Sequence, residues 1–497
     1  MKSIKEIYKN VGASILPQFV NIVSNFILPV MIVSIYGSSI NGLVLSVKTI
    51  ISYISLVGAG ISVATTQALY GPVAKGNSYE VKGLLKATSN MFNKCGIVYI
   101  IIVILTSTIY PLCIKGNISY LTVFGLLLVM SVSGASEFFI VGRCRSLLYA
   151  DRKVYICTTI QALSLLISLM IAIIMLKLKV SIVAVQFGIS FVYILRAIFL
   201  QLYVRKHYPQ YLYDKETNPI ERAVKKRNDA MIHQLSGLVV LGSQSIILSS
   251  MVSLEAASIF AIYNIVFSGL FSICSNINTA ITPFLGKSIA INTREKVLSD
   301  FVTVEYVFFL ITSFVYMVCA VTILPFIQLY TSKADINYVY PIFAVLFICT
   351  YLLNNFRLPH MALINAAGHF KETRNRALVE AGICFFASII FTKICGMYGV
   401  LIGTSIAIGW RCLDMIVYSR KNILTSNLTL PIFRLFRCIV YIGGACLISY
   451  KLSINANNYR QWIVVTIISA IVVGCILIID TLLFERSQMK KIRNIIK

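Results

Sequence analysis

Lys48 is the residue in this sequence whose chemistry most needs a reason. It stands within Ile40–Gly60, "INGLVLSVKTIISYISLVGAG", an otherwise apolar run of helical length, and Asn41, Ser52, Ser55 and Ser62 recur on its face. A lysine held inside an apolar membrane helix costs free energy unless something meets it. An ammonium flanked by amides and hydroxyls suits an anion such as a diphosphate, held as a point charge beside neutral hydrogen-bonding groups. The competing reading is snorkelling, in which the side chain extends toward the outer interface from about two helical turns inside it, roughly 10 Å.

Three further stretches carry polar faces. Ser14, Gln18, Asn21 and Asn25 follow one another at steps of four, three and four, on a helix that Pro17 and Pro29 can kink. Gln234, Ser243, Gln244, Ser245 and Ser249 mark a second stretch, and Asn264, Ser268, Ser272, Ser275 and Thr279 align on a third. Such faces can line a polar route for a sugar, or can serve only to hold helices together. Gln18, Asn21, Asn25, Lys48, Ser52, Ser55, Gln244, Asn264, Ser268 and Ser272 are therefore the candidate substrate-binding residues.

The acids inside apolar segments are Glu137, Glu380, Asp414 and Asp480, each in the cytoplasmic third of its span. Glu137 precedes Arg143 and Asp414 follows Arg411 by one turn, which favours paired interface charges over a site coupling to H+ or Na+. Catalytic and cofactor chemistry finds little support. No Ser-His-Asp or paired-carboxylate set can be placed at one depth, and the outer loops are too short for an external catalytic domain. "GKS" at Gly286–Ser288 lacks the earlier glycine of a phosphate-binding loop, because Ile281 stands there. The 13 cysteines show no CxxC and no metal-ligand spacing with the 4 histidines, and read as small packing residues. No metal or resident cofactor is expected.

The elements that must position these residues are membrane helices. Of 497 residues, 58% are hydrophobic and 12% charged, against about 25% charged in soluble domains. Apolar runs long enough to cross roughly 30 Å of hydrocarbon recur throughout. They predict fourteen spans, near 11–36, 41–66, 95–114, 118–142, 154–176, 180–203 and 230–252 in the first half. The rest lie near 256–285, 301–330, 339–363, 378–394, 397–418, 432–451 and 461–484. The third, fifth, thirteenth and fourteenth are nearly all apolar.

Most of the 44 lysines and arginines fall in the N-terminus, the even-to-odd connections and the tail. The opposite connections hold only Lys115, Lys177, Lys179, Lys333, Lys393, Lys451 and Arg460. Positive charge stays on the cytoplasmic side, so both termini are expected there. The net charge of +26 is then mainly a topology signal, with attraction to anionic membrane lipid second, and its spread over short segments argues against nucleic acid. Polar faces on spans one and two and again on seven and eight suggest a six-helix repeat. The expected fold is an all-α integral membrane protein: lobes at 1–205 and 230–420, a linker at 206–229, and two extra helices with a basic tail at 421–497.

Several motifs in order carry a resemblance over about the first 420 residues. They are "YGSSINGLV" (Tyr36–Val44), "ISYISL" (Ile51–Leu56), "ALYGPVAKGN" (Ala68–Asn77) and "ADRK" (Ala150–Lys153). "IHQLSGLVV" (Ile232–Val240), "IYNIV" (Ile262–Val266), "GHFKET" (Gly368–Thr373) and "YGVLIGTSIAI" (Tyr398–Ile408) follow. The sequence resembles the polysaccharide biosynthesis proteins, the Wzx-like flippases of the multidrug/oligosaccharidyl-lipid/polysaccharide exporter superfamily. That resemblance implies a bacterial inner or plasma membrane and a short glycan on undecaprenyl diphosphate. It also implies movement to the outer leaflet by alternating access, with a polysaccharide polymerase and other assembly proteins as partners. Relatives often carry a glutamate where this chain has Gly58, and Thr-Asp near Ser243 and Gln244, so a coupling role for those acids does not transfer. The nearest rival function is an ion-coupled multidrug exporter; the next is a membrane-embedded glycan polymerase or ligase.

Overall fold

The computed structural model describes residues 2–58, 60–114, 118–151, 153–211, 217–220, 240, 242–451 and 456–496. For residues 2–16, 63, 279–280, 283, 290, 370–371, 450–451 and 492–496 it describes the backbone alone. The protein is an all-α integral membrane protein: among the described residues there is no strand, and thirteen helices are long and apolar enough to cross a membrane. They match, in order, thirteen of the expected spans. The first half of the expected seventh, 230–252, lies outside the described residues, and its second half is helical over 242–251.

In chain order the helices are α1 (Lys2–Tyr36), α2 (Ser38–Ile54), α3 (Ile61–Ala74), α4 (Ser78–Cys113), α5 (Tyr120–Ser136) and α6 (Gly142–Ala150). Then come α7 (Val154–Lys177), α8 (Ile182–His207), α9 (242–251) and α10 (Leu254–Ile291). The remainder are α11 (Arg294–Tyr330), α12 (Pro341–Phe356), α13 (Leu358–Ala366), α14 (Phe370–Cys395), α15 (Met397–Tyr418), α16 (Thr429–Lys451), α17 (Tyr459–Phe484) and α18 (Arg486–Ile496). Short polar residues start several of them. The side chains of Asn77, Ser119, Ser181 and Asn458 accept from the backbone N–H three residues on, satisfying donors that a helix start leaves open.

The second expected span, 41–66, is not one helix. α2 stops at Ile54, a single 3-10 turn covers Ser55–Gly58, and α3 restarts at Ile61. Gly60 has φ 79, a left-handed backbone that a residue without Cβ adopts at little cost. The chain therefore bends between Ser55 and Ser62. A second interruption lies at Glu137–Val141, a π-helical turn between α5 and α6, a distortion that frequently marks functional positions.

The chain divides into two compact units, Met1–Ser258 and Ile259–Lys497. In the first, α1 packs on α7, and α5 packs on α2, α4 and α8. Leu43, Val47, Tyr99, Leu126, Phe138 and Leu176 form the centre of its core. Tyr99 buries its ring there and donates its hydroxyl to the Ser131 carbonyl at 2.9 Å, so a polar tip enters the core satisfied. In the second unit α14 and α15 form a close antiparallel pair. A Cβ on Gly403 would stand 2.3 Å from the Ser388 backbone nitrogen, so small residues let the backbones approach, as membrane helix interfaces commonly require.

Candidate functional site

Inside the first unit a cavity of about 210 Å³ opens among α1, α2, α5, α7 and α8. Lys48 lines it together with Asn21, Asn25, Asn41, Gln186 and Tyr193, and with the hydroxyls of Ser24, Ser133, Ser168 and Ser190. Among the described residues no carboxylate lines it. The period of α2 explains part of the arrangement: Asn41 and Lys48 lie seven residues apart, two turns along one face. Pro29 and Ile32 of α1 supply apolar wall between the amides.

The Lys48 ammonium makes no ion pair and no hydrogen bond with the described residues. The backbone carbonyl of Lys48 accepts from Ser52 at 2.9 Å, but the ammonium itself is free. Asn41 is 1% exposed and donates its amide to Ser258 at 2.7 Å, leaving its Oδ1 without a donor. The Ser24 hydroxyl also lacks a partner. By contrast Ser133, Ser168 and Ser190 donate to the carbonyls of Met130, Leu165 and Val129, so toward the cavity they offer lone pairs only. The cavity thus presents one cation, several free amide groups and several acceptors. That set matches a phosphorylated, hydroxyl-rich ligand and offers nothing to neutralise a cation.

Ser52, Ser55 and Ser62 do not share that cavity. They line a second one, about 260 Å³, at the bend, with Gly58, Gly60, Phe138, Glu137 and Arg145. Ser52 and Ser55 donate back to the Lys48 and Ile51 carbonyls of their own helix. The face read as continuous in the sequence is shared between two cavities, Asn41 and Lys48 lining the first and Ser52, Ser55 and Ser62 the second. Glu137, at the start of the π-turn, lies 2.6 Å from Arg145 and 3.5 Å from Arg196, and Arg145 also reaches Ser62 at 3.2 Å. Glu137 and Arg145 both line this cavity, so its lining charges balance, and Arg196 reaches Glu137 from outside the lining. Arg143, the expected neighbour, donates to Ser89 at 3.3 Å.

The remaining candidates are dispersed. Gln18 is exposed and lines neither cavity. Gln244 is buried and donates to the Val240 carbonyl. In the second unit Asn264 accepts from the Tyr351 hydroxyl at 2.7 Å, while Ser268 and Ser272 donate to carbonyls of their own helix. Glu380 is held by Arg357 at 2.5 Å and Arg411 at 3.5 Å, and Asp414 by Arg376 and by Arg411 at 2.6 Å. Both acids sit in paired arrangements.

Sequence reasoning missed two groups. Gln186, Ser190 and Tyr193 recur at steps of four and three in the sixth span, a signal present but not singled out. Ser168 comes from the fifth span, which reads as nearly all apolar. The second group is a charge cluster in the second unit. Glu305 accepts from Arg420 at 2.5 Å and Arg434 at 2.8 Å, with His360 Nε2 at 3.2 Å. Arg434 grips Glu485 through two bonds of 2.9 Å, and Arg437 bridges Glu485 at 2.9 Å and Asp480 at 2.8 Å. Three carboxylates meet three guanidiniums, and each of these six residues is at most 5% exposed. The cluster ties α16 and α17 to α11.

No family model and no curated protein matches the chain. Solved structures do. A structure described as the lipid II flippase MurJ, inward closed, superposes with a TM-score of 0.68 at 15% identity, covering 95% of this chain and 100% of the other. An inward-facing multidrug resistance MATE family transporter of the MOP superfamily gives 0.62 at 13% identity, over 84% and 98%. A Vibrio cholerae MATE transporter gives 0.56 at 13%, over 85% and 98%. The fold of this chain is the one these transporters share.

Proposed function

We propose that the protein moves an oligosaccharide linked to undecaprenyl diphosphate from the cytoplasmic to the outer leaflet of a bacterial plasma membrane. It would do so by alternating access, both termini in the cytoplasm, to supply surface polysaccharide assembly. The observation that carries this reading is the free ammonium of Lys48 in a polar cavity without a carboxylate. In this role Lys48 holds the diphosphate, while Asn21, Asn25, Asn41 and Gln186 exchange hydrogen bonds with the first sugars. The substrate class comes from the motifs quoted above, and a fold shared with a lipid II flippase and with multidrug transporters supports movement rather than covalent chemistry. Ligand binding drives the alternation only through unequal affinity for the two access states.

The uncompensated positive charge of the Lys48 cavity disfavours a cationic drug, which calls for a carboxylate at its site; the one carboxylate of the second cavity, Glu137, is paired with Arg145. Glu380 and Asp414, each held by two arginines, are read as structural charges. The test is reconstitution of the purified chain into vesicles with fluorescent lipid-linked oligosaccharide. Transbilayer movement without covalent change is expected. Export of a cationic dye with no movement of the glycolipid would overturn the proposal in favour of a multidrug exporter, and elongation of the glycan would point to a polymerase.

A further inference from the structure

Where α2 begins, it lies against α9 and the first turns of α10, and the contact is polar. Ser39 donates its hydroxyl to Glu255, and the Asn41 amide donates to Ser258 at 2.7 Å. Further along α2, Ser46 donates to the Ser245 carbonyl at 3.2 Å, and the Ser245 hydroxyl donates to Thr49 at 3.0 Å. Tyr110 of α4 joins from the side, its hydroxyl 2.9 Å from that of Ser249. Asn41, Ser46, Ser245, Ser249 and Ser258 are all buried, and every residue of this seam belongs to the first unit.

Gly42 lets the helices come this close. A Cβ built on it would overlap the Leu254 carbonyl oxygen, so a larger residue would force the starts of α2 and α10 apart. The bonds across the seam join mostly small hydroxyl and amide groups, which water satisfies as well once the helices part. Asn41 gains by that parting: its buried Oδ1 has no donor, and water would supply one. The closed seam is therefore held by bonds that exchange at little cost and by the missing side chain of one glycine.

Asn41 also lines the Lys48 cavity, so the seam forms part of that cavity's wall. In the six-helix repeat read from the sequence, α2 belongs to one lobe and α9 and α10 to the other. In the orientation proposed above, the starts of α2 and α10 face the outside. We propose that this seam is a latch that shuts the Lys48 cavity toward the outside and parts to let the cargo leave. The inference rests on the alternating-access reading, but its first test needs no substrate.

That test is labelling of Asn25→Cys, in the cavity wall, by an impermeant thiol reagent added outside intact cells, in a background cleared of native thiols. Gly42→Ala, which wedges the seam, should speed labelling several-fold. Gly443→Ala, whose added Cβ meets nothing within 4 Å, should leave the rate as it was. Should Gly42→Ala be lost from the membrane, Ser258→Ala removes one bond without adding volume and should act in the same direction. Labelling of both variants at the original rate would overturn the latch. The second test joins Ser39→Cys to Glu255→Cys by oxidation in the purified chain. Movement of fluorescent lipid-linked oligosaccharide in vesicles should stop in the joined chain and return on reduction. Continued movement with the thiols joined, or failure of the thiols to join, would contradict the proposal. If the unaltered chain moves no such lipid, the substrate reading fails and the labelling rates still decide the latch.

Discussion

Lys48 in the first unit and Glu305 in the second are both charges inside apolar helices, yet their surroundings are opposite. Glu305 sits among Arg420, Arg434 and His360, in a cluster whose three carboxylates and three guanidiniums balance. Lys48 faces a cavity wall of amides and hydroxyls with no counter-ion. A buried cluster whose charges balance fixes geometry and leaves no net charge for a ligand, even though the Nε donors of Arg420 and Arg437 go unpartnered. An ammonium with free donors beside an orphaned Asn41 oxygen is incomplete, and something from outside must complete it. The difference separates charges that hold the fold from a charge that waits for a ligand.

This contrast makes its largest prediction for the second unit. Arg434→Met takes one guanidinium from both Glu305 and Glu485 and leaves three buried carboxylates to two guanidiniums, and removal of one member of a buried ion pair costs about 3–5 kcal/mol. Membrane abundance and the monodisperse fraction on size exclusion should collapse. Lys48→Met removes no partner, so its abundance and thermal unfolding should match the unaltered chain. Equal loss of abundance in both variants would erase the distinction.

A smaller effect separates two asparagines. Asn25 lines the Lys48 cavity without a protein partner, whereas Asn264 accepts from Tyr351. Each hydrogen bond is worth about 0.5–1.5 kcal/mol. Asn25→Leu should therefore lower glycolipid movement several-fold at normal abundance, and Asn264→Leu should lower abundance along with movement. Reversal of that pattern would make Asn25 a packing residue.

The smallest perturbation probes orientation. Single cysteines at Ser38, Ser119 and Asn457, in a background cleared of the native thiols, should react with an impermeant reagent outside intact cells. Those at Asn77, Asn218 and Ser487 should not. Labelling of the second set would invert the proposed topology, and with it the direction in which a substrate reaches Lys48.

The spans were legible because an apolar run of membrane length has few other readings, and the polar caps at Asn77, Ser119, Ser181 and Asn458 punctuate them. Lys48 was legible for the same reason: a single charge stands out in an apolar run. The bend at Gly60 was not, because two glycines around one alanine in such a run also suit helix packing. Ser168 was hidden because its span is otherwise dominated by apolar residues, which masks the helical spacing of Gln161, Ser164 and Ser168. The Glu305 cluster was hidden for a different reason. Its members come from α11, α13, the turn after α15, α16 and the end of α17, and no local spacing joins residues that far apart in the chain.

Purified Lys48→Gln in vesicles decides whether the free ammonium serves the substrate. Glutamine keeps hydrogen-bonding capacity and most of the length but no charge, so movement of fluorescent lipid-linked oligosaccharide should fall to the protein-free rate while the chain stays folded. Lys48→Arg, which restores the charge, should recover part of it. Movement by Lys48→Gln at the unaltered rate would contradict the reading and leave Lys48 an anchor at the membrane border.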